Sequence, residues 1–117
     1  MTATDADDRL LKVANRGRHI ALAAPGVDIV VPATGGGYQV SSGTSVAAAH
    51  VSGIAALLLE LQPGLAPDAV RKILQSTAKD LGPKGRDDQF GAGLANAYHA
   101  VRSLRPDVTP VAASTAQ

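Results

Sequence analysis

The chain begins with short apolar stretches cut by turn formers and continues with longer stretches at helical spacing. Residues 1–8 read as a short strand entering a turn, because Asp5-Ala6-Asp7-Asp8 offers carboxylates that bond their own backbone. Residues 9–18 are polar and basic, with Asn15 and Gly17 as breakers, and read as a loop. His19-Ile-Ala-Leu-Ala-Ala24 predicts a strand stopped by Pro25-Gly26. Val27-Asp-Ile-Val-Val31 is rich in β-branched residues and predicts a strand stopped by Pro32. Gly35-Gly36-Gly37 marks a turn, and Tyr38-Gln39-Val40 leads on as a third short strand. No lysine follows the three glycines and no helix opens directly after them, so they are not read as a phosphate loop.

Three helices follow. The first runs from about Thr44 to Leu61 and is ended by Pro63-Gly64. It is apolar almost all round, which predicts burial inside a larger body. Its longest apolar run, Val46 to Leu59, is broken by His50, Ser52 and Gly53 and is read as too short to span a bilayer. The second helix runs from about Pro67 to Ala78. Val70, Ile73, Leu74 and Thr77 share one face, and Arg71, Lys72 and Gln75 the other. The third runs from Leu94 to Leu104 and stops at Pro106. Residues 105–117 lack periodicity and read as a disordered tail. There is no internal repeat, and short strands followed by helices predict an α/β or α+β layered body.

Composition narrows the picture. Apolar residues make up 45% and charged residues 18%, which excludes a disordered chain. At 117 residues the chain is one domain or a piece of one. Aromatics are only 3%, so the core must be built from Ala, Val, Leu and Ile in close contact. The net charge of +1, with no basic stripe, leaves nucleic-acid binding without support. The absence of cysteine removes disulfides, thiolate metal sites and cysteine nucleophiles. The acidic start MTATDADDRL has neither the basic head nor the apolar stretch of a signal peptide.

The informative stretch is Gly43-Thr44-Ser45-Val46-Ala47-Ala48-Ala49-His50-Val51-Ser52-Gly53. It puts a serine in the first turn of a buried helix. The free N–H groups there, and a helix end worth roughly half a positive charge, favour an anion. An activated serine and a tetrahedral oxyanion are such anions. Gly43 has no side chain to block the approach of a substrate backbone. On the Gly-Thr-Ser triplet alone, the competing explanation is that Ser45 merely caps the helix.

The longer string closely resembles the serine signature of the subtilisin-like serine proteases. Ala24-Pro25-Gly26-Val27-Asp28-Ile29 resembles the strand and turn that precede that serine in the family. Phe90-Gly-Ala-Gly-Leu94-Ala-Asn96-Ala97 resembles the closing loop and last helix. Thr2-Ala3-Thr4-Asp5 resembles a strand that follows the oxyanion asparagine. The resemblance covers about residues 2–104 and departs from the usual pattern at Ala49, where most members have proline, and at Val46, where many have methionine.

The resemblance implies an α/β fold, the C-terminal part of the subtilisin-like sandwich, with a mainly parallel sheet flanked by helices. Residues 1–104 would be the C-terminal part of the catalytic domain. The implied activity is endopeptidase cleavage through an acyl-enzyme, with Ser45 as nucleophile and its own N–H as an oxyanion donor, and Thr44 and Gly43 shaping the site. The family's triad runs Asp, His, Ser along the chain. The aspartate, the histidine and the oxyanion asparagine would therefore lie before Met1, which makes this chain alone inactive. Its partners would be a polypeptide substrate and the N-terminal part of the catalytic domain, with no cofactor, no metal, no nucleic acid and no membrane. The family is mostly extracellular or of the cell envelope.

Other residues invite rival readings. His50 follows Ser45 by five residues, about 140° around the helix, and so cannot readily bond it; the resemblance makes it a structural histidine. His19 and His99 read as packing or surface residues. A calcium site at Asp87 and Asp88 has no oxygen-ligand pattern behind it. An α/β-hydrolase elbow at Gly43-x-Ser45, with Asp87 and His99 following in order, wants glycine where Ala47 stands. A non-catalytic remnant or interaction module is the remaining alternative.

Overall fold

In the computed structural model, which describes residues 1–109, the chain forms β1 Thr2–Thr4, β2 Ala23–Pro25, β3 Ile29–Pro32, β4 Tyr38–Ser41, α1 Thr44–Leu61, α2 Pro67–Ser76 and α3 Ala97–Leu104. β1 and β2 pair in parallel, with Thr2 beside Ala23 and Thr4 beside Pro25. Leu94 extends this layer: Ala23 N–H donates to the Gly93 carbonyl at 2.9 Å, and Ala95 N–H donates to the Ala23 carbonyl at 2.8 Å. Leu94 and Lys79 then exchange two antiparallel bonds, each 2.8 Å. At the other edge Leu11 N–H donates to the Ala3 carbonyl, and Leu10 bridges Thr4. β3 and β4 form a separate antiparallel hairpin with Val30 opposite Val40.

α1 lies across β1 and β2, and the small residues let it approach closely. Ala3, Ala24 and Ala47 are fully buried and join Leu22, Ile54, Leu58, Leu74, Ala95 and Ala100 in one core. Ala47, Ile54 and Leu58 recur at the spacing of one helical face. Each large aliphatic buried in this way contributes about 1.5–3 kcal/mol. This is the alanine-rich core that the scarcity of aromatics predicts.

Several boundaries differ from the sequence-based expectation, each for a tertiary reason. The strand expected from His19 starts only at Ala23. Before it the chain turns, with Ile20 N–H donating to the Gly17 carbonyl, and the Arg86 guanidinium donates to the Arg18 and Ile20 carbonyls. The third helix starts at Ala97 rather than Leu94, because Leu94 and Ala95 are held in the sheet. Asn96 then caps α3 by accepting from the His99 amide at 2.9 Å. α2 ends at Ser76, two residues early.

α1 is not covered all round. Leu57, Leu59 and Leu61 are 49%, 40% and 36% exposed. With Thr44, Ser45, Glu60 and Leu61 included, the helix reaches 18 residues, long and apolar enough by length and composition to cross a membrane, contrary to the expectation from the shorter run. One face is nevertheless packed on the sheet as a core helix. Of the expected tail, residues 105–109 carry an Arg105–Asp107 ion pair at 2.7 Å, and residues 110–117 lie outside the described residues.

Candidate active site

Two loops converge at the start of α1. The chain leaves β2 at Pro25 and turns at Gly26. The Gly43 amide donates to the Gly26 carbonyl at 2.7 Å, and the Asp28 amide donates to Ser42 Oγ at 2.8 Å. Gly26 can be nothing larger here: a Cβ would sit 2.7 Å from both Ala3 Cβ and the Gly43 carbonyl oxygen.

The helix cap is Gly43, not Ser45. The Gly43 carbonyl accepts from the Val46 and Ala47 amides at 3.2 and 3.3 Å, and no side chain caps the helix. Thr44 and Ser45 are therefore the first two helical residues. Among the described residues neither of their amides finds an acceptor. Ser45 is exposed, so its hydroxyl and its N–H stand free at the positive end of an 18-residue helix. A Cβ on Gly43 would lie 3.3 Å from Ser45 Oγ, so the glycine keeps that side of the hydroxyl open.

Ser45, Thr44 and Gly43 line a groove of about 370 Å³ whose other wall includes Leu11, Val13 and His19. His19, read from the sequence as a packing or surface residue, is exposed and stands at this groove. It is 26 positions before Ser45, and only the fold of the 9–18 loop brings both to one groove. Its ring lies over Gly17, and no hydrogen bond joins it to Ser45 among the described residues.

The remaining candidates do not converge on Ser45. His50 is exposed on α1, and His99 is exposed on α3, tilted against Tyr98 with ring centroids 5.5 Å apart. Asp87 Oδ1 accepts from the Gln89 and Phe90 amides at 2.7 and 2.9 Å, which closes its own turn, and Asp88 pairs with Arg86 at 3.5 Å. Neither Asp87 nor His99 lines the groove, so the α/β-hydrolase arrangement is not assembled. Among the described residues no group of three or more His, Asp or Glu could hold a metal ion.

Comparison with known proteins settles the lineage: the model of the Subtilase family matches residues 2–93. The chain belongs to the subtilase family. It is 37% identical over 100 residues to alkaline elastase YaB from Bacillus sp. (strain YaB), covering 86% of this chain and 26% of that protein. It is 40% identical over 99 residues to the thermophilic serine proteinase of Bacillus sp. (strain AK1), covering 85% of this chain and 24% of that one. The fold also matches the crystal structure of fervidolysin from Fervidobacterium pennivorans, described as a keratinolytic enzyme related to subtilisin. There the TM-score is 0.75 at 31% identity, covering 80% of this chain and 17% of fervidolysin. The subtilase chain thus has an α/β fold of the subtilisin type and spans about a quarter of the length of its first two relatives.

Proposed function

We propose that this subtilase chain supplies the nucleophile-bearing part of a serine endopeptidase, with Ser45 as the nucleophile. The observation that carries this reading is the position of Ser45: second residue of α1, exposed to a groove, with its own amide unpartnered among the described residues. Ser45 Oγ attacks the scissile carbonyl and gives its proton to an imidazole. The carbonyl oxygen becomes an oxyanion held by the Ser45 N–H at the helix end. Collapse expels the amine, which takes the proton back from the imidazolium, and leaves an acyl group on Ser45. Water, deprotonated by the same imidazole, then releases the acid. Gly43 keeps the approach open and Thr44 forms the rim.

The base, its orienting aspartate and a second oxyanion donor come from another part of the protease domain, which precedes this segment. What supports this is the quarter-length span against the relatives and the lack of any histidine bonded to Ser45 among the described residues. A serine hydroxyl is a weak nucleophile without an adjacent base. The chain alone is therefore inactive, and its partners are a polypeptide substrate and that preceding part.

A fluorophosphonate probe tests both halves of the proposal. The chain alone should remain unlabelled, and the chain mixed with the preceding catalytic segment of alkaline elastase YaB should be labelled at Ser45, mapped by mass spectrometry. Labelling at any other residue would overturn the assignment of Ser45. Strong labelling of Ser45 in the chain alone would overturn the missing base and point to His19.

A further inference from the structure

We infer that the β2–β3 turn is a positioning clamp for the nucleophile: the Gly26 carbonyl and the Ser42–Asp28 pair together fix where α1 begins and hence where Ser45 stands. The inference rests on the proposed role of Ser45 and goes beyond it to residues that never touch substrate.

The geometry is a two-point hold. At one point the Gly43 amide donates to the Gly26 carbonyl at 2.7 Å, the shorter end of the range for such a bond. At the other, one residue earlier, the Asp28 amide donates to Ser42 Oγ at 2.8 Å, while the Ser42 hydroxyl leans towards Asp28 Oδ1 at 3.4 Å. Asp28 has φ +54°, a left-handed conformation that aspartate tolerates better than most residues and that turns its amide towards Ser42. The two bonds cross between the same pair of segments, so neither segment can rotate or slide without breaking one.

The hold is transmitted directly to the reacting atoms. Gly43 donates its N–H to Gly26 and, through its carbonyl, accepts the first two hydrogen-bonded amides of the helix, those of Val46 and Ala47. Fixing the Gly43 peptide therefore fixes the first turn of α1, which contains Ser45. Ala47 closes the structure from the other side, because it is fully buried and a Cβ on Gly26 would lie 3.1 Å from its methyl group. A glycine at 26 is thus what lets strand end, cap and helix meet. Shifts of about 1 Å at a nucleophile can cost roughly 10²-fold in rate, so a clamp on its peptide neighbour bears on turnover and not only on stability.

The test uses Ser42→Ala, Ser42→Thr and Gly26→Ala, read in two ways. In the isolated chain kept monomeric by Leu57→Glu with Leu61→Glu at the exposed end of α1, amide hydrogen exchange by NMR should show Gly43 and Asp28 protected. Ser42→Ala should raise exchange at Asp28, Gly43 and Val46 about tenfold or more, and Ser42→Thr, which keeps the hydroxyl, should restore it. In the chain paired with the preceding segment of alkaline elastase YaB, Ser42→Ala should lower kcat roughly 10- to 100-fold with KM unchanged, and Ser42→Thr should recover most of it. An unprotected Gly43 amide, or Ser42→Ala with wild-type kcat, overturns the clamp. If the wild-type pair proves inactive, the protease reading fails on that arm, and the exchange arm still decides the clamp. Gly26→Ala should show the largest exchange increase, and Ser42→Ala decides the matter where Gly26→Ala does not fold.

Discussion

Ala23 in β2 and Leu94, 71 positions later, lie side by side in parallel register, joined by bonds of 2.9 and 2.8 Å on the two sides of Ala23. This stitch ties the C-terminal loop to the strand whose continuation holds the Ser45 turn. It passes through Gly93, which has φ +121° and where a Cβ would run into the Lys79 carbonyl. Gly93→Ala should therefore destabilise the chain by about 2–5 kcal/mol, combining backbone strain with overpacking. Urea unfolding followed by circular dichroism checks this. A loss below about 0.5 kcal/mol would show that the loop does not thread as described.

Gly43 separates geometry from stability. Its φ of 161° is extended backbone open to any residue, so alanine costs little folding energy. The added methyl group would sit 3.3 Å from Ser45 Oγ and crowd it. In the protein paired with its preceding segment, Gly43→Ala should slow fluorophosphonate labelling of Ser45 about 10- to 100-fold, while the urea midpoint changes little.

Ser45 and His50 share a helix and should differ sharply. In the same paired protein Ser45→Ala should remove turnover by several orders of magnitude, because a nucleophile and its base act as a unit. His50→Ala should leave kcat within a few-fold, since His50 is exposed, outside the groove and on another side of α1. Steady-state hydrolysis of a peptide amide measures both.

Leu57, Leu59 and Leu61 leave an apolar end of α1 facing water, and Val30, Tyr38 and Val40 add an exposed face on the hairpin. Such surface drives association. The isolated chain should self-associate at micromolar concentration, seen by light scattering coupled to size exclusion. Leu57→Glu with Leu61→Glu should shift it towards monomer. A wild-type chain that stays monomeric at high concentration would argue against the exposed face.

Asp5 closes the turn that leaves β1. Its Oδ1 accepts from the Arg9 and Asp7 amides, each at 2.9 Å, and the Arg9 amide above all holds its carboxyl below the ordinary value. Because the folded pKa is depressed, the turn's contribution is fully present above the unfolded pKa of about 3.9 and is lost as pH falls through the folded value. Carbon-13 NMR titration should place the Asp5 carboxyl below the normal aspartate range. Asp5→Asn should remove the acid dependence of Arg9 amide protection, since an amide oxygen still accepts but does not titrate.

The sequence alone determined the parts whose signals are local. The run from Gly43 to Gly53 marked both the turn proposed to carry the nucleophile and the start of α1, because a glycine, a small polar pair and an apolar run at helical spacing act over one or two turns. Pro63-Gly64 marked the end of that helix, and the short blocks around Pro25 and Phe90 carried the family. Tertiary structure alone decided what depends on distant partners. Leu94 reads as helix by periodicity but sits in the sheet, since its amide and carbonyl are taken by Lys79 from a segment 15 positions earlier. His19 reads as the start of a strand but ends on the rim of the Ser45 groove, because the 9–18 loop folds back along β1. The hold of Gly26 on Gly43 is likewise invisible in sequence: it is a contact across 17 residues whose physical basis, the absence of room for a methyl group, exists only once β2 and α1 are packed together.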